Sequence, residues 1–160
     1  MTTTPTSFGM LRLWNTGDAE NLAKYANNRK IWINLRDGFP FPYTIKHARG
    51  FLAMVAQQKP ITFYAIATPE EVIGGIGLTI KLSKTDVHRL TAELGYWLAE
   101  LYWGKGIMTE SVTRFVDFAF EHCGLVRIYA EPYVTNTASC RVLQKAGFEL
   151  EGRMRSSVIN

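Results

Sequence analysis

The sequence predicts a single α/β (α+β) domain, with helices on both faces of a mixed, mostly antiparallel twisted sheet. Three observations predict it. Two helical patterns precede a run of strand-like segments in the middle of the chain. The first two of those strands are separated only by a short turn. From residue 89 onward strand and helix alternate, β-helix-β-helix-β. Strands joined by a tight turn pair antiparallel, whereas strands flanking a full helix run parallel. One parallel pair within residues 89–134 is therefore expected, and where it splays a crevice opens at the carboxyl ends of its strands.

The elements follow in order. Phe8 to Leu13 reads as a first short strand, preceded by a loose tail over residues 1–7. Asp18 to Arg29 reads as a helix with Leu22, Tyr25 and Ala26 on one face. The run NRKIWINLRDGFPFPYT is dense in aromatics, and Pro40 and Pro42 forbid regular helix, so an extended loop is expected. Thr44 is a helix N-cap, and Ala48, Phe51, Leu52 and Val55 point inward along a helix to about Gln57. ITFYAIA, a turn at Pro69-Glu70-Glu71 and VIGGIGLTIKL read as a hairpin. Another strand runs from about Arg89 to Ala99. Ile107 to Cys123 carries Met108, Val112, Phe115, Val116 and Ala119 on one helical stripe and ends at Gly124. Val126 to Val134 is a strand, Asn136 to Ala146 a helix with Ala138, Val142 and Ala146 in register, and FELEGRM a last strand.

The 160 residues are 47% hydrophobic and 20% charged, enough for a packed core and against disorder. No apolar run reaches the roughly 20 residues of a membrane helix. The opening MTTTPTSFGM lacks a basic segment followed by an apolar one, so a cytoplasmic location is expected. Eighteen Lys and Arg against 14 Asp and Glu leave a net charge of +4. That excess leans toward anionic ligands but is too small and scattered for direct nucleic-acid binding. Cys123 and Cys140 have no metal-type spacing, so two free buried thiols and no metal are expected.

The stretch LYWGKGIMTE, residues 101–110, carries the chemistry. It sits between a strand and the best-patterned helix of the chain. A helix N-terminus leaves amides unpaired and carries partial positive charge. With Gly104 and Gly106 lacking Cβ atoms, the amides of Trp103 through Met108 can be approached closely by a phosphate, beside Lys105 and the Thr109 hydroxyl. The same glycines would also serve a plain turn into the helix. The spacing fits neither a P-loop nor a dinucleotide fingerprint, which excludes those two readings.

Two signatures in order, Gly104-x-Gly106 and Asn136-x-x-Ser139 followed by Gly147-Phe148, resemble the GNAT N-acetyltransferase superfamily. Within it they resemble the RimJ/RimL-like branch of ribosomal-protein N-terminal acetyltransferases. LRLW, DAE and DGFPFPYT extend the resemblance over nearly the whole chain. Leu101 departs from the Gln or Arg that opens the family loop. The resemblance implies the GNAT fold, and acetyl-CoA as co-substrate. Its pyrophosphate would lie on Trp103, Gly104, Lys105, Gly106, Ile107, Met108 and Thr109, and its pantetheine arm would pair with the backbone of Trp97, Leu98 and Ala99. It implies a primary amine attacking the thioester directly, with a protein N-terminal α-amine as the first candidate. Small-molecule amines (a polyamine, an amino acid, an amino-sugar antibiotic) are the rival acceptors, and a non-catalytic acyl-CoA sensor the rival class. The branch usually adds a further strand beyond the point where this chain stops at Asn160. Either the sheet ends short, with an open edge that a second subunit would cover in a homodimer, or the missing strand lies in residues beyond Asn160.

Direct attack needs a base, oxyanion donors and a partner for the departing thiolate. Glu93 is the candidate base, on the strand face shared with Gly95, Trp97 and Ala99, or else a carboxylate paired with a nearby arginine. By the resemblance, Ser139 is the candidate thiolate partner, or else a hydroxyl serving a helix end. Asn136 caps a helix and, by the resemblance, meets the pantetheine arm. Arg141 reaches either the adenosine end or solvent. Cys140 packs inward. By the resemblance, the segment holding Trp32, Asp37 and Tyr43 would border the acceptor groove, with core packing as the alternative for the aromatics. His47, His88 and His122 are peripheral.

Overall fold

The computed structural model describes residues 3–80 and 90–155. Its strands are β1 (Thr3–Thr6), β2 (Gly9–Arg12), β3 (Phe63–Ala67), β4 (Val72–Ile80), β5 (Thr91–Leu98) and β6 (Arg127–Tyr129), in one sheet whose spatial order is the chain order. Neighbours are antiparallel except β5 and β6. Those two run parallel because helix α4 (Ile107–His122) returns the chain between them. β4 is buried at every position from Val72 to Leu78, as a strand covered on both faces must be.

The helices before the hairpin are α1 (Ala19–Ala26), α2 (Arg29–Trp32) and α3 (Ile45–Ala56); α5 (Thr137–Lys145) follows β6. α4 and α5 cover one face of the sheet, where Val112, Phe115, Ala119 and Leu143 meet Leu78, Leu94 and Leu98. On the other side α1 and α3 bury Leu22, Ala26, Ala48 and Leu52 with Tyr43 and Trp97. The pleat divides β5 between these layers. Ala92, Leu94, Tyr96 and Leu98 pack with the α4 and α5 core; Trp97, and with it Glu93 and Gly95, lies on the opposite face.

Register creates the crevice. β5 pairs with β6 only at Thr91↔Arg127, Ala92↔Ile128 and Glu93↔Tyr129, yet stays paired with β4 as far as Leu98↔Gly74. From Leu94 to Leu98 one edge of β5 is therefore open. β6 is shorter than the expected Val126 to Val134 because among the described residues no strand pairs with it past Tyr129.

Four other expectations need correction. Thr3–Thr6, expected within a loose tail, form β1, and Ser7 fastens the turn after it by donating its N–H (2.9 Å) and its hydroxyl to the Glu110 carboxylate on α4. The aromatic segment is not wholly extended. Asn28 caps α2 by accepting from the Lys30 N–H at 2.8 Å, upstream of the prolines that forbid helix. On α5 the buried residue is Leu143, flanked by Val142 and Ala146, while Ala138 faces solvent. FELEGRM makes no ladder: β6 offers a partner of only three residues, so Leu150 and Met154 stay exposed. A two-pronged ion pair from Arg127 to Glu151, at 2.7 and 2.5 Å, tethers the segment instead. Lys81, Leu82, His88 and Arg89 lie outside the described residues. Among those described, no helix is long and apolar enough to cross a membrane.

Candidate active site

α4 begins without a side-chain cap. Its N-cap is Gly106, left-handed at φ 78°, and Gly104 two residues earlier has φ 73°. L-residues with a side chain rarely take this conformation, so glycine is required twice. A Cβ built on either glycine meets nothing within 4 Å, so the space above both is open. The first intrahelical bond is Glu110 N–H to the Gly106 carbonyl at 3.1 Å. Among the described residues none accepts from the amides of Ile107, Met108 or Thr109, while the Trp103 amide is spent on Glu100. Uncapped amides at the positive end of a 16-residue helix, beneath open space, form a donor set suited to a pyrophosphate. Lys105 folds back with Nζ 5.2 Å from the Tyr102 ring centre and so stands beside the cradle.

The open edge of β5 is the second component. The Ala99 N–H donates to Ile73 at 2.8 Å, which turns it toward β4, and the period of two turns Trp97 the same way. Only Leu98 of the expected trio Trp97, Leu98, Ala99 therefore offers its backbone to the fork. Tyr96 offers its own in the same direction. The Leu98 carbonyl already accepts from the Trp103 indole at 2.7 Å.

Glu93 lies at the last β5–β6 pair and is ion-paired with Arg36, the same guanidinium nitrogen reaching Glu131 at 3.0 Å. Donation of hydrogen bonds to Glu131 and then Glu93 raises the Arg36 pKa above its ordinary value. The arginine straps the α2–α3 connection across the mouth of the fork. A second strap joins Asn28 and Lys30 to Glu100 on the β5–α4 connection. Of the residues expected along an acceptor groove, Asp37 is exposed and Trp32 stacks on Phe41, centroids 5.4 Å apart. Tyr43 is 6% exposed in the core beside Phe39, and burial pushes its pKa up to about 12. It can shape a groove only from beneath.

Across the fork, Asn136 caps α5 by accepting from the Ser139 N–H at 3.2 Å. The Ser139 hydroxyl lies 2.7 Å from the Tyr96 phenol, whose pKa is pushed up to about 12, chiefly by burial. Cys123 and Cys140 are free, and Arg141 is exposed. His47 belongs to the Thr44 capping box and His122 stacks on Phe118, both away from the fork. Sequence reasoning missed Tyr96, Arg36 and Glu131. The alternation of β5 does mark Tyr96 as facing α5's side. Arg36 meets its carboxylates across 57 and 95 residues of sequence, a separation with no local pattern.

Known proteins resemble this chain in sequence and fold. A family model described as an acetyltransferase (GNAT) domain matches residues 10–149. The chain is 50% identical over 157 residues to the probable N-acetyltransferase YjcK of Bacillus subtilis (strain 168), covering 89% of this chain and 81% of that one. It is 28% identical to the ribosomal-protein-serine acetyltransferase of Escherichia coli (strain K12), covering 69% of this chain and 55% of that one. The solved structure of RimL, a ribosomal L7/L12 alpha-N-protein acetyltransferase in complex with coenzyme A, superposes with a TM-score of 0.82 at 21% identity, covering 98% of this chain and 89% of that one. At that identity the superposition speaks for the fold. With a forked parallel pair over an uncapped glycine-bearing helix start, and a family match over most of its length, this chain belongs to the GNAT acetyltransferase family and is an N-acetyltransferase.

Proposed function

We propose that the chain, as one catalytic domain over residues 1–160, acetylates the α-amine of a protein or peptide with acetyl-CoA, by direct attack in a ternary complex. The observation that carries this reading is the open edge of β5 leading straight to the uncapped amides of Ile107, Met108 and Thr109. A thioester-bearing arm fits the edge, and its pyrophosphate fits the amides. Acetyl-CoA supplies an activated acyl group; the protein supplies its position and the path of its protons. Asn136 and the backbone of Leu98 hold the arm, Ser139 hydrogen-bonds the sulfur as the C–S bond breaks, and Glu93 takes a proton from the acceptor ammonium.

Glu93 shares Arg36 with Glu131, so the trio of side chains carries one net negative charge, which favours an incoming ammonium. The Escherichia coli relative is a ribosomal-protein-serine acetyltransferase, which supports a protein acceptor and a cytoplasmic place of work. The test is a thiol-release assay with acetyl-CoA and a panel of free-amine peptides, N-blocked peptides, polyamines, amino acids and amino sugars. Turnover confined to peptides with a free α-amine is expected. Tight acetyl-CoA binding with no turnover on any amine would sink the enzyme reading, and turnover only on small molecules would sink the protein substrate.

A further inference from the structure

We propose that Tyr96 is a positioning residue for the leaving thiol, acting through Ser139; this rests on the assignment of Ser139 to the sulfur made above. Tyr96 lies on β5 beyond the last β5–β6 pair and reaches across the fork to α5. Two hydroxyls 2.7 Å apart share one hydrogen bond, with the Ser139 carbonyl a longer second acceptor for the phenol at 3.4 Å; whichever hydroxyl donates across the short contact, the other keeps its proton for use elsewhere. Three features decide the direction.

First, Ser139 is the third residue of α5, so the residue four before it, Thr135, precedes the helix. The i−4 carbonyl that often absorbs a helical serine's proton therefore lies outside the helix, and among the described residues Ser139 Oγ is hydrogen-bonded to Tyr96 alone. Second, the phenol is the stronger acid of the two and the better donor. Third, burial holds its pKa near about 12, so it keeps its proton throughout the neutral range. Its titratable neighbour on α5 is Cys140, and on β4 it stands opposite Ile76. With Tyr96 donating to Oγ, the Ser139 proton is free to point into the fork. Hydrogen bonds in such a chain strengthen one another by roughly 10–30% each.

During transfer the amine nitrogen bonds to the acyl carbon. The C–S bond breaks with its electron pair on sulfur; of the two protons the ammonium loses, the one Glu93 takes passes on to solvent and the one released by the tetrahedral nitrogen ends on the sulfur. Tyr96 loses no proton in the cycle. It holds Ser139 in the orientation that stabilises the thiolate.

Tyr96→Phe, Ser139→Ala and the double variant test this with two readouts. One is kcat with the best acceptor of the panel. The other needs no acceptor: the ionisation of coenzyme A's own thiol on the full-length protein, followed by thiolate absorbance. Ser139→Ala is expected to lower kcat about 10- to 100-fold and Tyr96→Phe about 3- to 10-fold, with the KM for acetyl-CoA unchanged. The double variant should match Ser139→Ala to within about twofold. Bound coenzyme A should ionise at higher pH in each single variant than in the wild type, and no higher in the double variant than in Ser139→Ala.

Site-specific 3-fluorotyrosine at position 96, nearly isosteric but more acidic, guards against misfolding of the phenylalanine variant. It should keep the neutral-pH rate and move the alkaline loss to lower pH, which a packing role would not do. Losses that multiply in the double variant, or a silent Tyr96→Phe beside a damaging Ser139→Ala, overturn this inference alone. A silent Ser139→Ala overturns the sulfur assignment and this inference together. The expected thiol ionisation without turnover of any amine supports the Tyr96–Ser139 contact to the sulfur and sinks the enzyme reading made above.

Discussion

Replacing Gly106 by alanine separates two things the glycine does at the start of α4. Its φ of 78° costs a side-chain-bearing residue about 1–2 kcal/mol. At about 2–4 °C per kcal/mol for a chain of this size, the melting temperature should fall by roughly 2–8 °C. The added Cβ touches no protein atom within 4 Å, so the fold loses nothing more. The ligand loses more, because that Cβ stands in the open space above the amides of Ile107 and Met108. One displaced charge-assisted hydrogen bond, at about 1.5–3 kcal/mol, weakens acetyl-CoA binding roughly 10- to 150-fold. Lys105→Ala removes an exposed charge that rests on the Tyr102 ring, about 1 kcal/mol at most and fivefold or less. Gly106→Asn restores much of the melting temperature, since asparagine tolerates this backbone region, but leaves the Cβ in place. Calorimetric titration with acetyl-CoA on the wild type and the three variants reads the order. A Lys105→Ala loss larger than the glycine losses, or full recovery of binding in Gly106→Asn, would refute the backbone cradle.

Glu93→Gln should lower kcat by about 10²- to 10⁴-fold while acetyl-CoA affinity holds; steady-state kinetics beside calorimetry checks it, and a wild-type kcat removes Glu93 as the base. Asn136→Ala removes the cap of α5 and should cost about 1 kcal/mol, a fall of roughly 2–4 °C in a thermal melt. The Glu110 pKa is lowered from 4.5, mainly by the Ser7 hydroxyl. Its carboxylate therefore adds stability above its ordinary value that is lost as pH falls through the lower folded value. The melting-temperature gap between wild type and Glu110→Gln should be widest near neutral pH and close as the pH drops below 4.5.

Elements with a strong period or an unambiguous cap were legible without coordinates. The α4 stripe from Met108 to Ala119, the Thr44 cap, the hairpin around Glu70 and the parallel pair all stand where local pattern puts them. Failures came where a pattern needed a partner it could not name. FELEGRM alternates as a strand should, but β6 is too short to pair with it. Thr3–Thr6 carry no apolar signal, and β2 supplies the ladder that orders them. Among the site residues, Gly104, Gly106 and Asn136 were readable because each answers a local need, a left-handed backbone or a helix cap.

Local chemistry along the chain thus determined where a helix begins without a cap and where two strands must run parallel, since both follow from the conformational limits of neighbouring residues. Packing alone decided which side chains meet across the fork. Arg36 joins Glu93 to Glu131, and Tyr96 meets Ser139, because the register of β5 stops at Glu93 on one edge and continues to Leu98 on the other. Such contacts depend on the three-dimensional course of distant segments, which no spacing between residues encodes.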